Sequence, residues 1–118
     1  MEFIEAPVFT QLLSKYLTDD GYSELQLYLA NHPEAGDVMQ GTGGFRKLRW
    51  SDQRRGQGKR GGLRAVYYYF DQDQQIWFLT MYGKDEVADL SAKEKRLLKA
   101  AVDEEKRQRA RRRGSRRK

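Results

Sequence analysis

The chain has 118 residues, which is enough for one domain with a modest apolar core. It contains one histidine and no cysteine, so disulfide frameworks and thiolate metal sites are excluded. No apolar run approaches the roughly 20 residues of a membrane span, and the N-terminus lacks the pattern of a signal peptide. We therefore expect a cytoplasmic protein.

The positive charge is concentrated in two blocks. Residues 46–64 carry a net charge of +7 and residues 106–118 a net charge of +9, whereas residues 1–45 sum to −6 and residues 65–105 to −4. A patch of one sign on an otherwise acidic domain favours a polyanionic partner. We expect a single domain over residues 1–105, followed by a basic C-terminal extension.

Apolar periodicity predicts one strand and two helices in the first third of the chain. The strand covers Glu2–Glu5, the first helix begins at Pro7, and the second ends at Asn31-His32-Pro33. Thr18 or Ser23 is the expected cap of the second helix.

A loop over residues 36–44 precedes a change to strand-like alternation. The predicted strands are Phe45–Trp50, Leu63–Phe70 and Ile76–Tyr82. Ser91 and Glu94 have capping-box spacing and open a last helix. Its expected buried residues are Leu97, Leu98, Ala101 and Val102. The order (β)ααβββα predicts an α+β fold with helices packed on a small antiparallel sheet.

Glycines and cations are concentrated in the segment before the second of these strands. Residues 51–62 contain four glycines and four cations, and backbone N–H groups in glycine turns form anion-binding concavities. Lys47 and Arg49 are two positions apart and so project from one face of their strand. Paired strands would bring them into one groove with Lys59, Arg60 and Arg64. The alternative is a solvated polar loop beside an ordinary hairpin.

Two further motifs are given no functional role. Residues 56–61 match the dinucleotide fingerprint G-x-G-x-x-G, but a strand rather than a helix follows them. His32 lies at a predicted helix end, where we expect it to cap or pack.

Three segments together resemble the HigB-type branch of the RelE/ParE superfamily of bacterial toxins: residues 41–49, 58–68 and 80–84. The similarity extends from about Phe9 to about Leu98. It implies a RelE-like toxin domain and ribosome-dependent cleavage of messenger RNA by a metal-independent endoribonuclease with no cofactor. It also implies a cognate HigA-type antitoxin with a helix-turn-helix domain.

RNA can be cut by attack of its own 2′-OH on the adjacent phosphorus, and fixed cations can stabilise the charge that develops. A lysine crowded by other cations has its ammonium form disfavoured and can act as a base. The resemblance assigns catalytic positions to Lys47, Arg49, Arg64, Tyr82 and Lys84. The neighbouring cations expected to bind RNA are Arg46, Arg54, Arg55, Lys59 and Arg60.

The sequence departs from the better-known RelE pattern at three positions. Arg49 stands in place of a lysine, Asp85 in place of an arginine, and Ser91 in place of a tyrosine. Which residue is the general base and which the acid therefore stays open, and Arg64 is the position on which cleavage should depend most.

Two other functions share the predicted fold. One is a ParE-like gyrase poison, and the other is an RNA-binding module without catalysis. The basic tail is either a solvated extension of the last helix or a non-specific contact with ribosomal RNA.

Overall fold

A computed structural model describes residues 1–51, 62–86 and 90–116. The elements, in chain order, are β1 (Glu2–Glu5), α1 (Pro7–Tyr16), α2 (Asp19–Asn31), β2 (Asp37–Val38), β3 (Arg46–Trp50), β4 (Leu63–Phe70), β5 (Gln75–Gly83) and α3 (Ala92–Arg116). The predicted α+β class is confirmed. None of the described helices combines the length and apolar composition that crossing a bilayer requires.

The five strands form one sheet in the order β1-β5-β4-β3-β2. The pairs β2–β3, β3–β4 and β4–β5 are antiparallel, but β1 runs parallel to β5, with Glu2 opposite Gln75. The prediction of an antiparallel sheet was therefore wrong at this edge. Parallel pairing needs a long connection, and the chain between β1 and β5 supplies one that contains both first helices.

The prediction that residues 36–44 are entirely loop was also wrong, because they include the short strand β2. Asp37 and Val38 pair with Lys47 and Arg46 at the other edge of the sheet. A strand of two residues has too little alternation to be recognised from sequence.

Helix termini follow the predicted chemistry. Pro7 lies in the first turn of α1, and the Thr18 hydroxyl accepts a hydrogen bond from the Gly21 amide at 3.0 Å, so Thr18 and not Ser23 caps α2. The capping box before α3 is complete, because the Ser91 amide donates to the Glu94 carboxylate at 2.9 Å and the Glu94 amide donates to Ser91 Oγ at 3.1 Å.

The first of two compact units comprises residues 1–38 together with the described part of residues 45–88. Its core lies between α1, α2 and one face of the sheet, and the Phe9 and Phe78 rings stack there with centroids 4.5 Å apart. The buried residues of this core are Phe9, Tyr16, Leu17, Leu25, Leu29, Leu48, Leu63, Ala65, Tyr67, Ile76, Phe78 and Met81.

The second unit comprises residues 39–44 and the described residues from 90 onward. Gly41, Gly43 and Gly44 all have positive φ angles, which glycine adopts without steric cost. A Cβ atom on Gly43 would lie 3.0 Å from Val102 Cγ1. The glycines of this motif therefore let the segment turn tightly and approach α3 closely.

The buried face of α3 differs from the prediction. Val102 is buried and Leu98 is half-buried, but Leu97 is 61% exposed and Ala101 is exposed, so the prediction was wrong for these two. Most of the residues with reduced exposure follow one helical stripe, and Asp103 and Glu104 are half-buried beside it. The stripe consists of Lys95, Leu98, Val102, Glu105, Arg109 and Arg113. Leu97 and Ala101 each precede a stripe position by one residue and are rotated away by about 100°.

Candidate functional site

Three of the predicted catalytic residues lie in one row across the sheet. Arg49 of β3 is directly opposite Arg64 of β4, and Arg64 is directly opposite Tyr82 of β5. Directly opposed residues project from the same face, with Cβ atoms about 5 Å apart. Lys47 lies two positions from Arg49 and so adds a third cation to this face. We call these four residues the basic row.

The alternation of β3 and β4 explains why the cations share a face. Leu48 separates Lys47 from Arg49 and is buried in the core, and the neighbours of Arg64 on β4, Leu63 and Ala65, are also buried there. Because successive side chains of a strand point to opposite faces, burial of these apolar residues places the cations on the other side of the sheet.

A β-bulge places Tyr82 in the row. Tyr67 is opposite Phe78, but the next residue back, Val66, is opposite Thr80, so Leu79 is the extra residue in β5. Without it, strict alternation would direct Tyr82 to the same face as Phe78, into the core. The bulge reverses this parity, so that Met81 is buried and Tyr82 lies opposite Arg64. Bulges re-aim side chains in this way.

The members of the basic row differ in exposure. Arg49 is exposed, whereas Lys47, Arg64 and Tyr82 are half-buried. The Arg64 guanidinium donates from Nη1 to the Leu63 carbonyl at 3.3 Å, which directs it along the start of β4. A partly buried guanidinium interacts with a bound anion more strongly than one in bulk water, because the local dielectric constant is lower.

Lys84 lies outside the basic row. It follows the end of β5, its side chain is exposed, and its amide donates to the Gly62 carbonyl at 2.9 Å. This bond closes the β4–β5 pairing one step beyond Leu63 and Gly83. The structure thus fixes the backbone of Lys84 next to the start of β4.

The turn after β5 is held by the Glu86 carboxylate. Oε1 accepts hydrogen bonds from the Tyr16 hydroxyl at 2.7 Å and the Gly83 amide at 3.2 Å, and Oε2 accepts from Lys15 Nζ at 3.2 Å. These contacts connect the end of α1 to the segment that carries Lys84.

The same contacts change the ionisation of their members. The hydrogen bonds from Tyr16 and then Lys15 lower the pKa of Glu86 to about 2, so the carboxylate is ionised at neutral pH. The pKa of Tyr16 is raised, first by burial and then by its bond to Glu86, which keeps the phenol protonated as a donor. Sequence reasoning missed this group because its members are distant in the chain and match no motif.

Arg46 lies on the opposite face from the basic row. It is paired with Tyr67, and its Nη1 donates to the carbonyls of Glu34 at 3.0 Å and Gly36 at 2.8 Å. Its Nη2 also lies 3.7 Å from the Glu34 carboxylate. The structure therefore separates Arg46 from Lys47 and Arg49 and gives it a role in holding the segment before β2.

The remaining predicted RNA-binding residues, Arg54, Arg55, Lys59 and Arg60, lie outside the described residues. Their contribution stays a prediction. His32 packs its ring 5.0 Å from that of Tyr28 and donates its amide to the Tyr28 carbonyl, as expected for a residue at a helix end.

The basic row has the chemistry of a phosphate site. Two guanidinium groups offer planar forks that match phosphoryl oxygens, and an ammonium and a phenol supply further donors on the same face. Within the described ranges, no group of three or more His, Asp or Glu side chains is arranged to hold a metal ion. No protein-family model matches this sequence.

Proposed function

We propose that the chain is the toxin of a type II toxin–antitoxin system, with a RelE-like fold and HigB-type activity. In this proposal it is an endoribonuclease that cleaves messenger RNA on the ribosome and so inhibits translation. The observation that carries the proposal is the basic row, in which Arg49, Arg64 and Tyr82 are aligned across three strands. The bulge in β5 supports this proposal because it brings Tyr82 opposite Arg64, in addition to burying Met81 in the core.

The proposed chemistry follows from these groups. The 2′-OH of the substrate gives its proton to a base and its oxygen attacks the adjacent phosphorus. A 2′,3′-cyclic phosphate forms as the bond to the 5′-oxygen breaks, and the leaving 5′-oxygen takes up a proton. Arg64, at the centre of the row, stabilises the negative charge that develops on the phosphoryl oxygens, and Arg49 adds a second fork. Lys47 is the amine of the row and the group best suited to proton transfer. Tyr82 stacks on a base or orients the phosphate.

The proposal includes a protein partner. Residues 46–64 carry a net charge of +7 and would bind RNA indiscriminately in the cell. A silent toxin therefore needs a partner that covers this segment or blocks access to the ribosome. The partner is a HigA-type antitoxin with a helix-turn-helix domain, encoded beside the toxin. Expression alone should stop growth, and co-expression with the adjacent reading frame should restore it.

The decisive experiment maps transcript ends on translating ribosomes. Purified protein is incubated with ribosomes that translate a defined messenger RNA, and new 5′ ends are located by primer extension. The wild type should create ends only when ribosomes are present. Arg64→Ala should reduce the cleavage rate by about 10² to 10³-fold, as expected for loss of a charge-stabilising donor. Arg96→Ala, which removes an exposed cation from α3, is the matched control.

Three outcomes of these measurements would contradict the proposal. Unchanged cleavage by Arg64→Ala would remove the basic row as the site. An intact transcript with the wild type, together with DNA cleavage trapped on gyrase, would establish the ParE-like alternative. Binding of RNA without new ends would establish a non-catalytic module.

A further inference from the structure

The basic tail predicted from sequence is a regular continuation of α3. The helix runs without a break to Arg116, and its last eleven residues contain seven cations and no anion. Ala110 is the apolar residue of this segment, so the segment has no apolar face to bury in a lipid surface. We call residues 106–116 the arginine helix.

The cations of the arginine helix surround its axis. Lys106, Arg107, Arg111 and Arg112 are exposed, and at about 100° per residue they cover roughly 240° of the circumference. A flat acidic surface could contact only part of this arc at one time. A groove with phosphates on both walls could contact all of it.

Two carboxylates organise the arginines from the preceding turn. Glu104 accepts from Arg107 Nη2 at 2.6 Å and lies 3.5 Å from Arg111 Nη2. Glu105 accepts from Arg109 Nε at 2.9 Å and from Arg112 Nη2 at 3.3 Å. The guanidinium groups are thus partly ordered before any ligand binds, which lowers the entropic cost of recognition.

A purely structural role does not account for this arrangement. Cations stabilise a helix C-terminus through its dipole, but this effect is confined to the last turn, whereas the arginine helix covers about three turns. Like charges at helical spacing also destabilise the helix. Arginine, which predominates over lysine here, is the side chain whose planar fork fits phosphate.

We propose that the arginine helix is a second nucleic-acid contact, separate from the basic row, that inserts into a phosphate-walled groove of structured RNA. The choice of RNA over DNA rests on the proposed function, since ribosomal RNA is the polyanion that a ribosome-bound toxin meets. A regular A-form major groove is too narrow for a helix, so the expected target is a hairpin or junction whose groove is widened by unpaired bases.

The test measures binding of the full chain to a fluorescent RNA hairpin with an internal loop, over a range of salt concentrations. All variants carry Arg64→Ala, so that they can be expressed without the growth arrest that the proposed function predicts. One variant adds R107Q and R111Q, and the matched control adds K93Q and R96Q. Both pairs remove two exposed cations from nearly the same side of α3. Circular dichroism verifies that α3 is retained.

We expect R107Q/R111Q to weaken binding about tenfold and to reduce the slope of log K against log salt by about two. The control pair should change affinity less than twofold. Equal losses for the two pairs would overturn the proposal in favour of diffuse attraction. Equal or tighter binding to a DNA duplex of the same length, or to vesicles containing anionic lipid, would overturn the assignment to RNA. Transcript cleavage is scored separately, so a protein that binds the hairpin but cuts no messenger RNA refutes the proposed function and leaves this inference standing.

Discussion

The Tyr67 hydroxyl makes two hydrogen bonds inside the protein, close to the strands that carry the basic row. Tyr67 is fully buried, donates to the Pro33 carbonyl at 2.8 Å, and accepts from the Gly36 amide at 3.0 Å. Burial is the main cause of its raised pKa, so the phenol stays neutral. These bonds fix the segment that leads into β2 and, through its pairing, the edge of β3.

The expected effect of Tyr67→Phe follows from these two bonds. Phenylalanine keeps the ring, so little packing is lost, but the Gly36 amide is left buried without its acceptor and the Pro33 carbonyl loses its donor. An orphaned buried group costs about 1 to 3 kcal/mol. We therefore expect a loss of about 2 kcal/mol in the free energy of unfolding, or a Tm lower by about 8 °C for a chain of this size.

Urea denaturation followed by fluorescence measures this change, and Tyr69→Phe is the matched control on the same strand. The Tyr69 hydroxyl accepts from Gln74 Nε2 at 2.9 Å, but that bond is exposed, so its loss should cost less than about 0.5 kcal/mol. Hydrogen exchange of the Gly36 amide should also accelerate in Tyr67→Phe. Equal stabilities of the two variants would refute the reasoning, because they would show that water or a small shift satisfies the freed groups.

Two further variants test the turn after β5 and the glycine motif. Because the folded pKa of Glu86 is about 2 and lies below its ordinary value of 4.5, its stabilising contribution is complete above about pH 5 and is lost as the pH falls toward 2. Glu86→Gln should thus lower the free energy of unfolding by about 1 kcal/mol at pH 7, a small value because about a third of the side chain is exposed to solvent. Urea titrations should find that this difference shrinks below about pH 4, and a difference that stays constant with pH would contradict the assignment. Gly43→Ala places a Cβ atom 3.0 Å from Val102 Cγ1 on a residue with a φ of +81°, so it should lower the free energy of unfolding by about 2 kcal/mol, as measured by thermal unfolding. Gly114→Ala has open space around the new Cβ atom and should be neutral or stabilising. The same Tm for both variants would contradict the close-packing argument.

The elements that sequence predicted best are those whose signal is local. β4 has the predicted bounds, because its alternation is long and glycines and polar residues flank it. The caps at Thr18 and Ser91 were recognisable because an oxygen three residues from a backbone amide is a local geometry. The parallel pairing of β1 and the contacts of Glu86 were missed because they join distant parts of the chain.

The candidate site was predictable in composition but not in geometry. The spacing of Lys47 and Arg49 predicted one shared face, and the register confirms it. Arg46 was grouped with them as an RNA-binding residue, although strand parity places it on the core side, where it bonds to backbone carbonyls. Strand parity alone would have separated it from Lys47 and Arg49.

The case of Tyr82 shows why parity is not sufficient. Ile76 and Phe78 of β5 are buried in the core, and strict alternation from them would direct Tyr82 into the core and Met81 away from it. The structure contains the reverse arrangement. The bulge at Leu79 has no distinctive residue type, and its presence depends on how β5 matches β4 along the whole hairpin. The face that carries Arg64 therefore acquires its tyrosine from a property of the paired strands, and the two segments must be folded together before the basic row exists.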